Sequence, residues 1–305
     1  MILIDAATVE RLLDLPSLIE AMRAGHRAGV DAYGRMLMDV APDALLAMAA
    51  WQREVAFGVK LASVFPRNAA QHIPNIASVY VLFDGKHGTP AAVMDATPLT
   101  LRKTAADSAL AADYLARRDA RTLLMLGAGA QAPWQIAAHR VVRPGLARVL
   151  IWNRTPVRAT TLAAAIPGAE AVTDLAAAVA CADIVCCATA ATAPVLRGAW
   201  LAAGTHVDLV GGYTPAMREA DDVAVSRARV FVDTRRFTLH DAGDISQPLA
   251  TGLLAADAIT DLFELVRGAP GRRDAAEVTL FKNAGGGHLD LMAALLVAAR
   301  VGLHL

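Results

Sequence analysis

Hydrophobic positions along the chain change their spacing twice. From Asp5 to Tyr33, the residues Val9, Leu12, Leu13, Leu18, Ile19, Met22, Val30 and Tyr33 recur at roughly helical intervals, the spacing that gives a helix one apolar stripe. A break near Pro16 predicts a short helix followed by a longer one. Between Met36 and Met94 the period shortens. ALLAMAAW, FGVKLASVF, ASVYVLFD and PAAVMDA are β-prone and separated by turn signals such as Asp84-Gly85 and His87-Gly88, which predicts an antiparallel sheet. An Ala-rich helix from Thr100 to Leu115 then leads into TLLMLG at 122–127, an unbroken apolar strand ending in glycine. After it, PWQIAAHRVV, RVLIWNR, PVRATTLAAAI, ADIVCCAT, HVDLVGG and RVFVDT mix helix-like and strand-like segments, a pattern that predicts a parallel sheet with helical crossovers. Residues from Val278 to Leu305 read as a strand, a glycine cluster and a terminal helix. The Gly- and Pro-poor passage after residue 100 predicts two domains joined by a helix.

Composition narrows the class. Of 305 residues 55% are hydrophobic and 19% charged, with 29 basic residues against 29 acidic ones. So apolar a chain is not disordered, and a neutral balance argues against a polyanion partner. Cys181, Cys186 and Cys187 sit within an apolar stretch at a spacing that fits neither a zinc ribbon nor a C-x-x-C redox pair, so they are expected as reduced core residues. The N-terminus carries Asp5 and Glu10 and no basic region, unlike a signal peptide. No apolar run is long enough to span a membrane, and a cytoplasmic protein is expected.

Gly127-Ala128-Gly129-Ala130-Gln131-Ala132 has the form G-x-G-x-x-A between a predicted strand and a predicted helix. In that setting the first glycine permits the turn, the second admits a pyrophosphate, and the helix N-terminus faces the anion. At the end of the next strand, where an NAD-specific site places a carboxylate on the ribose hydroxyl, the chain has Asn153-Arg154-Thr155 with Arg158 close behind. An arginine there pairs with a 2′-phosphate, so NADPH is favoured, with NADH possible.

Cations are unevenly chosen: 25 arginines against four lysines, Lys60, Lys86, Lys103 and Lys282. Lys60, Lys103 and Lys282 lie in mostly apolar segments, where an ammonium can hold a carboxylate or change protonation when desolvated. Together they hint at an anionic substrate. His288 beside Gly285 to Gly287 reads first as structural. Asp241 and Asp244 lack a His or Cys partner at ligand spacing, so no metal is predicted. Arg117-Arg118 and Arg272-Arg273 read as solvated charges.

KLASVFPRN, IPNIASVYVLFD, LTLRKTAADSALAADYLARRDA, LLMLGAGAQA, LVGGYTPAMREAD and EVTLFKNAGGGHLD occur in that order over nearly the whole chain. In sequence and spacing the chain resembles the ornithine cyclodeaminase and mu-crystallin family. The resemblance implies a homodimer and an α/β fold in which a Rossmann doubly wound domain, 113–278, is inserted in an α+β substrate-binding and dimerisation domain, 1–112 plus 279–305. It implies a carboxylate clamp on Arg35, Lys60 and Lys103, the last standing where the family pattern has arginine. It also implies cofactor contacts from Asn75, Lys103, Thr104, Ala130, Gln131, Asn153, Thr189, Val210, Gly211, Gly212 and Asn283, beside Gly127, Gly129 and Arg154 of the loop reading.

Cyclodeaminases of the family resemble one another in an aspartate after the Gly-Gly turn, and here Tyr213 follows Gly211-Gly212. A phenol is a poor general base near neutral pH. The resemblance therefore points to the ketimine reductase branch, with the features around Met217 and Gly243. The expected enzyme is an NAD(P)H-dependent reductase of cyclic imino acids. It would convert Δ1-pyrroline-2-carboxylate to L-proline or Δ1-piperideine-2-carboxylate to L-pipecolate by hydride transfer to C2. Lys60, directly or through a water, would keep the imine protonated, and Tyr213 would line the ring pocket. Ornithine or lysine cyclodeaminase, alanine dehydrogenase, and a non-catalytic NADPH-dependent binder like mu-crystallin are the alternatives.

Overall fold

Asp5 and Asp14 each open a helix by accepting a backbone N–H, from Thr8 at 2.8 Å and Ser17 at 2.9 Å, which satisfies a donor that a first turn leaves free. A short strand, β1 (Ile2–Ile4), precedes these helices, α1 (Ala6–Leu12) and α2 (Leu15–Ala28). The computed structural model describes residues 1–71 and 73–305, and for residues 32, 33, 39, 69 and 70 the backbone alone. The side chain of Tyr33 therefore lies outside the described residues. The helical spacing read through Tyr33 stops earlier: Gly29, with φ of 95°, caps α2, and the following residues form β2 (Asp31–Val40). Glycine adopts that left-handed region at little cost.

Next come β3 (Asp43–Gln52), β4 (Ala56–Val64), β5 (Ile76–Asp84), β6 (Pro90–Asp95) and α3 (Thr97–Leu115). The strands build one sheet in the order β1-β6-β5-β4-β3-β2, antiparallel except for β1 against β6.

The following stretch supplies β7 (Thr122–Leu126), α4 (Ala132–Val142), β8 (Arg148–Trp152), α5 (Pro156–Ala165), β9 (Ala169–Ala171), α6 (Leu175–Ala180) and β10 (Ile184–Cys187). Then come β11 (His206–Leu209), α7 (Asp222–Arg227), β12 (Ala228–Val232), α8 (Arg235–Asp241), α9 (Gly243–Ala250), β13 (Thr260–Asp261), α10 (Leu262–Val266) and β14 (Val278–Lys282). The eight strands form a parallel sheet in the order β13-β12-β14-β11-β10-β7-β8-β9. From β7 the chain steps outward to β9, then returns to place β10 on β7's other side. The order thus reverses between β7 and β10, as in doubly wound sheets. Buried along nearly their whole length, β7 and β10 read as near-continuous apolar runs.

The final helix, α11 (Gly287–Arg300), packs on β2 to β5 and beside α2. The chain divides into two compact units, Met1–Lys103 with Gly286–Leu305, and Thr104–Gly285. This moves both expected boundaries. The strand at 278–282, which the expected boundary cuts after its first residue, pairs whole with β11 and β12 inside the parallel sheet, and the first division falls at 103/104 within α3.

Cys186 and Cys187 are buried in β10, whereas Cys181 is exposed where α6 ends, which corrects its expected core position; all three are free. Arg272 is not a solvated charge. It donates to Leu115 O at 2.6 Å and Thr279 Oγ1 at 3.1 Å. Arg117 likewise pairs with Asp183.

Candidate functional site

In the first unit, directly paired residues place Arg35, Met48, Lys60, Tyr80 and Met94 in one row across β2 to β6. Paired residues of neighbouring strands share a face, so this row points to one side. Two strand spacings, about 10 Å, separate the backbones of Arg35 and Lys60. Lys60 is 4% exposed, Lys103 1%, and Asp290 is fully buried. Asp290, projecting from α11, holds both lysines, with Lys60 Nζ at 3.0 Å and Lys103 Nζ at 3.6 Å. Lys60 Nζ also reaches Thr100 Oγ1 at 3.5 Å.

The electrostatics follow from this. Burial pushes the Lys60 ammonium down to about 8, and Asp290 opposes the fall while Lys103 and Arg35 add to it. Two buried ammoniums against one carboxylate leave a positive surplus, which stabilises an incoming anion where solvent screening is weak. Arg102 does not join them. It is buried, with its Nη1 3.9 Å from Glu10 Oε1. His288 is buried edge-on to His26 at 5.6 Å, and burial holds its imidazole well below the usual value, hence neutral.

The sequence reading missed Asp290. Its signal was a carboxylate at the head of an otherwise apolar helix, HLDLMAALLVAA, where an unpaired charge would be costly. Asn75 lies exposed just before β5.

The second unit carries the loop chemistry. Gly127 follows β7 with φ of 103°, and a Cβ there would lie 2.5 Å from Ala188 O. Glycine is required by conformation and by closeness of approach. At Gly129 a Cβ would meet nothing within 4 Å, so that side of the loop is open. Asn153 Oδ1 accepts from Ala128 N–H at 3.2 Å, and its Nδ2 donates to Thr155 O at 2.9 Å, tying the end of β8 to the glycine loop. Gly127, Gly129, Asn153, Arg154, Arg158 and Thr189 all line a cavity of about 340 Å³. Ala130 and Gln131 lie at the loop's exit into α4.

Asn283, expected at the cofactor, spends its side-chain NH₂ on Thr104 O at 2.9 Å and Ser108 Oγ at 3.2 Å. Val210, Gly211 and Gly212 follow β11, and Tyr213 beyond them is 50% exposed. Lys282, fully buried, ends β14 on Asp244, Nζ to Oδ2 at 3.2 Å. His139, Cys186 and Asp208, distant in sequence, bring ligand-type atoms within 4.8 Å of one another. Asp208 already accepts from Ser108 Oγ at 3.0 Å and Cys186 Sγ at 3.2 Å, so the group closes on itself as a hydrogen-bonded cluster.

Residues 5–302 match the model of the Ornithine cyclodeaminase/mu-crystallin family. The chain belongs to this family. It is 42% identical over 286 residues to a Delta(1)-pyrroline-2-carboxylate reductase of Paracoccus denitrificans, covering 92% of this chain and 90% of that one. Among solved structures it is similar to the Thermococcus litoralis Delta(1)-pyrroline-2-carboxylate reductase in complex with NADH and L-proline, with a TM-score of 0.93 and 29% identity over 100% of this chain and 99% of that one. It is also similar to the iminosuccinate reductase of Paracoccus denitrificans in complex with NAD+, with a TM-score of 0.90 and 28% identity over 99% and 98%. The family fold accounts for a parallel sheet and a mixed sheet in one chain. No helix among the described residues is long and apolar enough to cross a membrane.

Proposed function

We propose that this member of the family is an NAD(P)H-dependent reductase of cyclic imino acids, converting Δ1-pyrroline-2-carboxylate to L-proline, with Δ1-piperideine-2-carboxylate as the larger-ring counterpart. The observation that carries the reading is the Lys60–Asp290–Lys103 cluster, a buried site with one more cation than anion. The similarity to two reductases, one of them solved with NADH and L-proline, supports the same class.

The glycine loop fits a dinucleotide: it is left-handed at Gly127 and open at Gly129, with Asn153 bracing it and Arg154 and Arg158 on the rim. The two arginines favour NADPH, since guanidinium groups pair with a 2′-phosphate and the strand end lacks the carboxylate that would select NAD. When bound, the reduced nicotinamide supplies the hydride that the imine carbon accepts.

The chain's own residues do the rest. Lys60 and Lys103, with Arg35, hold the substrate carboxylate, whose negative charge offsets the surplus of the cluster. Lys103 does this as a point charge, without the two-pronged geometry of the family's arginine. Lys60, held near 8 by burial, is protonated at neutral pH and keeps the imine nitrogen in its iminium form. Hydride addition to C2 then yields the secondary amine with no further proton needed at carbon. Tyr213, standing where the cyclodeaminases have their aspartate, supplies no general base.

The opposite face of the first unit's sheet supports a homodimer. Trp51, Phe57 and Phe83 stack across β3, β4 and β5 at 4.4 and 4.7 Å. Met36, Met38, Leu45 and Val79 extend the same face and are exposed. A contiguous apolar face of this kind marks an interface, and a second copy of the chain covers it.

The test is NADPH oxidation followed by absorbance with Δ1-pyrroline-2-carboxylate, Δ1-piperideine-2-carboxylate, and pyruvate with ammonia, and NAD with ornithine separately. Turnover of the cyclic imines is expected. Activity with ornithine alone, or cofactor binding with no turnover, would refute the reading.

A further inference from the structure

A single carboxylate ties together the loops that follow β10 and β11. Glu219 Oε1 accepts from the Thr189 N–H at 2.7 Å and the Thr189 hydroxyl at 2.8 Å, and its Oε2 accepts from the Gly211 N–H at 2.7 Å. The loops meet so closely that a Cβ on Gly211 would fall 1.9 Å from Thr189 O and 2.5 Å from Glu219 Oε1. Glu219 is in turn anchored from behind. Its own N–H and that of Ala220 donate to Asp244 Oδ1 at 2.7 and 3.2 Å, and Asp244 Oδ2 faces Lys282 Nζ at 3.2 Å. Glu219, Asp244 and Lys282 are completely buried. A chain of charge therefore runs from the end of β14 through α9 to two loops at the carboxyl ends of adjacent parallel strands, where doubly wound sheets bind ligands. Thr189 lines the same cavity as Gly127 and Gly129.

We propose that Glu219 is a positioning residue for the dinucleotide, fixing Thr189 and, behind it, Gly211 as one wall of the cofactor cavity, with the Asp244–Lys282 pair holding Glu219 in place. The inference rests on the dinucleotide reading above and deepens it. Three donors converge on this group, so an acceptor-only carboxylate is required. A glutamine would turn its NH₂ against at least one N–H, and a protonated glutamic acid loses part of its accepting capacity.

The charges facing Glu219 are Lys282 on β14 and Asp244 on α9, and the Cys186 and Cys187 thiols of β10, which burial keeps neutral, are the other titratable groups near it. Burial pushes Glu219 up to about 7, with Asp244 adding to the rise and Lys282 opposing it. The raised value means that the accepting form is lost as pH falls through about 7. Cofactor binding, which uses that form, weakens on the acid side.

The experiment is a fluorescence titration of NADPH into the wild-type protein and into Glu219→Gln and Glu219→Asp, from pH 6 to 9, with the melting temperature of each. The wild-type Kd is expected to rise as pH falls through about 7. Glu219→Gln, still folding cooperatively, is expected to bind about tenfold or more weakly at pH 8, the effect of one lost charge-assisted bond, and to lack the wild-type pH step. Because it carries the same ligand, the variant also subtracts the titration of the ligand's own phosphate. Glu219→Asp keeps the charge but not the reach, so its Kd rises while a pH step remains. A folded Glu219→Gln with wild-type Kd at every pH would overturn this inference alone. If Glu219→Gln fails to fold, a wild-type Kd without a step near pH 7 overturns it instead. A wild-type protein that binds neither NADPH nor NADH would overturn the dinucleotide reading and this inference with it.

Discussion

Lys60 shows how one residue's surroundings set its chemistry. An ammonium on a sheet strand would ordinarily reach solvent, but here α11 packs over the sheet and Asp290 and Thr100 meet its Nζ. Burial lowers its proton affinity, so the cationic form that holds a carboxylate persists below about 8 and is lost above it. Hence kcat/KM for the imine should fall as pH rises through about 8. Removing the anion that opposes this fall should move the limb to lower pH, so the profile of Asp290→Asn should turn down earlier than wild type. Lys60→Ala should lose about 100-fold in kcat/KM, the scale of a bond to a charged group. A loss of only a few-fold would remove Lys60 from the clamp. The two lysines were legible in the sequence because the chain otherwise uses arginine. Asp290 was not, since a single carboxylate in a terminal apolar helix shows its purpose only when α11 is laid on the sheet.

Among the elements, the glycine loop between β7 and α4 and the loop after β8 were the most readable, because a strand, a turn requiring glycine and a helix follow one another within 21 residues, 122–142. Arg154 and Arg158 line the cavity beside that loop. Each charge-assisted contact to a 2′-phosphate contributes about 1.5–3 kcal/mol. Arg154→Ala should therefore raise the Kd for NADPH about 10- to 100-fold and leave NADH nearly unchanged, as read by titration with each dinucleotide. Equal effects on both would contradict the assignment. The elements that escaped the sequence reading escaped for local reasons. The helical spacing runs on through Val30 and Tyr33 into the first residues of β2, and only the positive φ at Gly29 ends the helix. The expected boundary at 278/279 cuts β14 because sequence position says nothing about its insertion between β11 and β12. Glu219 gives no signal in the sequence, and Asp244 invites only the metal question, because their donors come from Thr189, Gly211 and backbone elsewhere along the chain.

On the scale of the molecule, the neutral net charge hides two buried charge clusters, one in each unit, Lys60–Asp290–Lys103 and Lys282–Asp244 with Glu219. The apolar surplus of the composition has a second outlet in the sheet face carrying Trp51, Phe57 and Phe83. Placing a charge there should break association: wild type should run as a dimer in light-scattering chromatography and Trp51→Glu as a monomer, and a monomeric wild type would contradict the interface. The proposed reaction is hydride transfer to C2 of a cyclic imino acid clamped by the lysine cluster. Incubation of Δ1-pyrroline-2-carboxylate with NADPH deuterated at the transferable position tests it most directly. L-proline carrying one deuterium at C2 per NADPH consumed is expected; proline without deuterium at C2, or no proline at all, rules this reaction out.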